Sequence, residues 1–163
     1  MIEIIPFNTY ENLAELHRVI TLSFKTVADD FGFTEENAPK NPAFRPIADL
    51  ENMMDSGVDF FAAYENGVMA GCIAIQQNPK DDRMFFLERL AVLPEYRHRG
   101  FGKLLLDRAS EECKIRGAEV ISIGIVDENT ELKDWYARSG FAVTGVKKFD
   151  HLPFTVCFME MTL

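Results

Sequence analysis

Residues 87–109 read LERLAVLPEYRHRGFGKLLLDRA. Leu87 and the run Leu90, Ala91, Val92 and Leu93 close a strand, which Pro94 ends because proline has no amide to give a ladder. From Gly100 onward, Phe101, Leu105, Ala109 and Cys113 recur at helical spacing, with Lys103, Asp107, Glu111 and Lys114 pointing away. Gly100 and Gly102 remove side chains where backbone amides would approach a ligand, and the helix start behind them leaves N–H groups unpaired. Such a turn holds an anion, each charge–dipole contact contributing ~0.3–1 kcal/mol. Arg97, Arg99 and Lys103 add Coulomb attraction, and the width of the cradle suits a diphosphate.

Two familiar phosphate binders do not fit. GxxxxGK[ST] fails because Leu104 follows Gly102-Lys103 and position 97 is not glycine. GxGxxG fails because position 105 is leucine, and seven residues separate Val92 from Gly100. The third pattern, [Q/R]xxGx[G/A] closing a strand-turn-helix, is met by Arg97, Gly100 and Gly102. In this the stretch resembles the acyl-CoA-binding core of the GNAT superfamily of N-acyltransferases. A second block, DENTELKDWYARSGF at 127–141, resembles the later motif of that superfamily, with Asn129, Tyr136, Gly140 and Phe141 at the matching places. Asn129 and Tyr136 are about two helical turns apart and share a face. Position 132, where the family commonly has a small residue, is leucine.

The resemblance implies a cofactor, acetyl-CoA, and a set of contacts. The pantetheine arm would pair like an added strand with Leu90, Ala91 and Val92, a β-bulge often helping. The turn His98, Arg99, Gly100, Phe101, Gly102 and Lys103 would meet the pyrophosphate with Arg97, and Asn129 and Tyr136 would line the arm. Tyr136 is the implied acid for the thiolate sulfur, and the Val92 amide the implied donor to the acyl oxygen. Glu88 is expected on the strand face of Leu90 and Val92, where its carboxylate would take the proton of the amine. The implied reaction is acetyl transfer to a primary amine, of a small molecule or a peptide N-terminus, by direct attack. A non-catalytic acyl-CoA-binding regulatory module on the same scaffold is the alternative, which retention of Tyr136 disfavours. No metal is implied.

Outward from this core, Ile2–Pro6 reads as a strand, and Asn8 with Glu11 as a capping box for a helix carrying Leu13, Leu16, Ile20, Phe24 and Val27. His17 is expected on the surface of that helix. Gly32–Pro46 reads as a loop, followed by a short helix over Ile47–Met54. Val58–Tyr64 and Val68–Gln76 form a hairpin turning at Asn66-Gly67, a pair suited to positive φ. Strands are expected over Met84–Leu93, Glu119–Val126, Phe141–Lys148 and Phe154–Met161, and helices over Gly100–Arg116 and Asn129–Ser139. The order predicts one mixed α/β domain over 1–163. Its sheet is mostly antiparallel, splayed at one parallel pair, with helices on both faces. By resemblance, Ala28–Pro46 and Phe149–Phe154 would build the acceptor pocket. Asp29, Asp30, Glu35 and Glu36 there suit a cationic amine.

A net charge of −9 over 163 residues disfavours nucleic acid as a partner. Three scattered cysteines without CxxC spacing argue against a disulfide framework or a zinc site. The N-terminal MIEIIPF is unlike a secretory signal, and no run suits a membrane span, so a cytoplasmic location is expected. His98 is explained as phosphate rim and His151 as part of a turn. The last strand, apolar on both faces, is expected to be central or covered by a second subunit, leaving monomer or homodimer open.

Overall fold

The computed structural model describes residues 1–163. Seven strands and four helices run β1 (Ile2–Phe7), α1 (Leu13–Phe31), α2 (Ile47–Asp55), β2 (Asp59–Glu65), β3 (Val68–Asn78), β4 (Asp81–Val92), α3 (Phe101–Ile115), β5 (Val120–Val126), α4 (Thr130–Arg138), β6 (Ala142–Lys148) and β7 (Thr155–Thr162). They form a single sheet in the order β1-β2-β3-β4-β5-β7-β6. The β7 strand lies between β5 and β6, with Cys157 and Met159 buried on one face and Phe158 exposed on the other. Only β4 and β5 are parallel, joined through α3. Asn66 and Gly67 take φ of 52° and 81°, the left-handed turn expected of that pair.

Two cores lie on opposite faces of the sheet. Leu13, Leu16, Val19 and Ile20 of α1 and Leu50 of α2 pack on one side against Phe60, Ala62, Cys72, Ala74, Ala91 and Leu93. The row Phe101, Leu105, Ala109 and Cys113 of α3, with Tyr136 of α4, packs on the other against Phe61, Ile73, Phe85, Leu87, Ile121 and Met159. The helical periodicities predict both apolar stripes; the α3 stripe is buried throughout, and that of α1 is buried at Leu13, Leu16 and Ile20 and half-buried at Phe24 and Val27.

Some local expectations fail. Asn8 and Glu11 form no capping box: the Thr9 hydroxyl takes the Glu11 amide, and α1 begins only after Asn12, at φ 62° with no side-chain cap. His17 is half-buried, its Nε2 2.7 Å from the Arg45 carbonyl oxygen that precedes α2. The β4 strand begins three residues earlier than predicted, because the charged run Asp81-Asp82-Arg83 hides a tight β3–β4 hairpin.

Candidate active site

Ladder pairing between β4 and β5 covers only Met84, Phe85 and Phe86 against Val120, Ile121 and Ser122. Beyond Phe86 the strands diverge, so the β5-side edge of β4 from Leu87 to Val92 has no ladder partner. On the other side β4 stays paired with β3, through a bulge. Ala74 opposes Glu88 and Cys72 opposes Ala91, so Arg89 and Leu90 together face Ile73. Arg89 takes φ 54° to accommodate the extra residue. Gly71 closes the pairing opposite Val92, where a Cβ would stand 2.5 Å from the Ala91 carbonyl oxygen. An isolated glycine within a strand pattern is a signal for such close approach.

The bulge corrects one expectation. Cross-strand partners share a face, and Ala74 belongs to the α1–α2 core, so Glu88 lies on that face. Leu90 and Val92 pack against the α3 core on the other side. One inserted residue breaks the alternation on which the shared-face reading depended.

The Leu93 amide donates to the Ala70 carbonyl at 2.9 Å, so the backbone of Val92 points the other way, toward the diverging edge. Its carbonyl accepts from Arg97 Nε at 3.0 Å. Arg97 also donates from Nη1 to the Thr26 hydroxyl and from Nη2 to the Ser23 carbonyl, both at 2.9 Å. Burial lowers its pKa from the ordinary value. The guanidinium therefore ties α1 to the end of β4 and does not face the turn, and its amide is taken by Pro94 O.

In the turn itself the main chain stays free. His98 and Gly100 take φ of 61° and 88°, and the amides of His98, Arg99, Gly100, Phe101, Gly102 and Lys103 donate to no acceptor in the protein. The side chains are already engaged. Arg99 Nη2 forks onto Glu65 at 2.7 and 2.8 Å while its guanidinium lies 5.4 Å from the Tyr96 ring centroid, and Lys103 pairs with Asp107. These surface pairs are weak, typically ~0–1 kcal/mol. What the turn can offer an anion is thus amides and helix dipole, with side-chain attraction secondary. Phe101 is buried beneath it, edge-on to Tyr96 at 5.5 Å.

The α4 helix completes the site. The Asn129 side chain caps it, Oδ1 accepting from the Leu132 amide at 3.2 Å. Trp135 packs across the first turn of α3, and a Cβ on Gly102 would meet its Cζ2 at 3.3 Å. Tyr136 turns inward, its ring edge-on to Trp135 at 5.0 Å and to Phe141 at 5.3 Å. It shares the α3-side core against which Leu90, Val92 and Leu132 pack. Burial raises its phenol above the ordinary value, with no side-chain hydrogen bond contributing to the shift. His98, Arg99, Gly100, Phe101, Gly102 and Lys103 come together with Val92, Trp135 and Tyr136. The Trp135 contact and the Arg97 strut went unread in the sequence.

Residues 24–141 match the model of the Acetyltransferase (GNAT) family. The chain belongs to that family. This GNAT enzyme is an N-acetyltransferase. It is 27% identical over 137 residues to an uncharacterized N-acetyltransferase of Lactobacillus delbrueckii subsp. lactis, covering 77% of this chain and 78% of that protein. In fold it is similar to the PaiA N-acetyltransferase of Thermoplasma acidophilum solved with coenzyme A, with a TM-score of 0.82 at 22% identity over 100% of this chain and 99% of that one. A GNAT acetyltransferase of Elizabethkingia anophelis with acetyl-CoA bound gives a TM-score of 0.73 at 16% identity, over 99% and 98% of the two chains. The orphan amides of residues 98–103 and the edge of β4 without a ladder partner fit such a group, since both offer main-chain groups that no strand takes, the Val92 carbonyl held by Arg97 excepted. No His, Cys, Asp and Glu grouping suits a metal ion, and no helix is long and apolar enough to cross a membrane.

Proposed function

We propose that this enzyme transfers the acetyl group of acetyl-CoA to a primary amine, on a small molecule or a peptide N-terminus, by direct attack. The observation that carries the proposal is the run of unpaired amides at 98–103 adjoining the open edge of β4. That pairing is a site for a diphosphate followed by an extended, amide-bearing arm. When bound, acetyl-CoA supplies the activated thioester. The amides of the turn hold the diphosphate, and the backbone of Leu90, Ala91 and Val92 orients the arm. The Val92 N–H is directed to hold the acyl oxygen. Tyr136 Oη, kept protonated by its burial, gives its proton to the departing sulfur. Glu88, on the opposite face of β4, takes a proton from the amine, directly or through one water. Asn129 acts through the cap that aims α4.

The test is release of free coenzyme A thiol from acetyl-CoA against polyamines, aminoglycosides, amino acids and peptide N-termini, beside an amine-free blank. One acceptor well above the blank is the expected result. Silence across the panel, with no thermal shift by acetyl-CoA, would overturn the assignment of the turn. For Glu88→Gln the expected change is a loss of about 10²-fold in kcat/KM with removal of the acid-side limb of the pH–rate profile. An unaltered profile takes Glu88 out of the reaction.

A further inference from the structure

The bulge does more than turn Glu88 to the α1–α2 face. In a regular strand Arg89 would project opposite to Glu88, but at φ 54° its guanidinium reaches Asp49 of α2 instead. It also lies near Cys72 of the same core, where its charge opposes the larger effect of burial on that thiol. Glu88 and Arg89, consecutive in sequence, thus occupy one face beside the point where β4 and β5 diverge.

Asp49 is a distant ion-pair partner of Arg89 and takes no hydrogen bond from it. Arg45 holds it bidentately, Nε to Oδ2 at 3.2 Å and Nη2 to Oδ1 at 2.9 Å, and this bond keeps the Asp49 carboxyl below its ordinary pKa. Arg89 Nη2 stops 3.9 Å from Oδ2, beyond hydrogen-bond range, and no other protein acceptor takes its donors. Its side chain is nevertheless only 21% exposed. None of its nitrogens is both buried and unpaired, so the donors that no protein acceptor takes stay open to solvent and to an anionic group arriving there. The carboxylates that suggested a cationic acceptor do not converge on anything. Asp29, Asp30, Glu35 and Glu36 are all exposed, and Asp29 is paired with Lys25.

Resting on the acetyltransfer reading above, we propose that Arg89 binds an anionic group carried beside the amine of the acceptor, so that the substrate class is amino-acid-like and not polycationic. Glu88 meets the amine and Arg89 forks onto the carboxylate, the bidentate geometry for which a guanidinium is suited. A hydrogen bond between charged groups of this kind discriminates by roughly 10- to 100-fold.

The experiment measures calorimetric binding of common α-amino acids, their carboxamides and their decarboxylated amines to the full chain saturated with coenzyme A, with thiol release run in parallel. Expected is at least one amino acid binding about 10-fold or more tighter than its carboxamide, a ratio that falls toward one in Arg89→Gln and recovers partly in Arg89→Lys. Asp49 keeps its Arg45 fork in both variants, and unfolding curves check that the fold is intact. Equal binding of acid and carboxamide, a preference that survives Arg89→Gln, or no binding of any amino acid would overturn the role of Arg89. Thiol release without carboxylate preference would leave acetyltransfer standing and remove Arg89. Carboxylate-selective binding without thiol release would do the reverse.

Discussion

Tyr136→Phe should lower kcat by about 10²- to 10⁴-fold while leaving the fold intact. The two effects separate because of where the ring and the hydroxyl sit. The ring carries the packing, edge-on between Trp135 and Phe141, and phenylalanine keeps it. No side-chain hydrogen bond contributes to the shift of the hydroxyl, so its removal leaves the internal hydrogen bonding intact. On the proposed reaction, what is lost is a proton held for the sulfur. Steady-state kinetics with acetyl-CoA in excess, beside a melting curve, decide the matter: a kcat within about twofold of wild type excludes Tyr136 as the acid. Alkaline unfolding gives a second readout. Burial raises the folded-state pKa above the ordinary 10.0, so unfolding releases the phenol proton once the pH passes that value. Stability then falls as pH rises from the unfolded pKa toward the folded one, and Tyr136→Phe should lose that part of the slope.

Gly71→Ala should be the most damaging of the small substitutions. The added Cβ would stand 2.5 Å from the Ala91 carbonyl oxygen and 3.3 Å from both Val92 Cα and Leu105 Cδ1. Two of these three are backbone atoms of the strand that carries the site, so relief requires β4 to move. Overpacking of this kind costs about 1–3 kcal/mol, or roughly 2–10 °C in Tm for a domain of this size. Because Gly71 pairs with Val92, the displacement also reaches the diverging edge, and the KM for acetyl-CoA should rise. Gly145→Ala is the control. A Cβ at Gly145 meets nothing within 4 Å, so its stability should stay within about 0.5 kcal/mol of wild type. If the two variants melt together, β4 does not depend on Gly71.

Much of the architecture was legible because it rests on local patterning. The helical stripe of α3, the Asn66-Gly67 turn and the parallel β4–α3–β5 unit each follow from residue types at fixed spacing, and each is present. The strand-turn-helix with its free amides was legible for the same reason, since unpaired amides at a helix start are a property of any helix. The face of Glu88 was not legible. It depends on a single inserted residue in β4, and strand alternation read from sequence has no way to register an insertion that only the pairing with β3 reveals. The engagement of Arg97, Arg99 and Lys103 was equally hidden. Arg97 bonds residues 71 and 74 positions away, and Arg99 a carboxylate 34 positions away, so the same charges that advertise an anion site in sequence are spent partly on holding it together.

By itself, then, the sequence determined the elements, their order and the turn whose amides stay unpaired, because hydrophobic period, proline, glycine and helix ends act within a few residues of themselves. Tertiary structure alone decided which face each β4 side chain takes, that Arg97 braces α1 and not the turn, and that Arg89 stands beside Glu88 without a hydrogen-bond partner of its own. These depend on strand register and on contacts between segments far apart in the chain, which are settled only when the two cores close on opposite sides of the sheet.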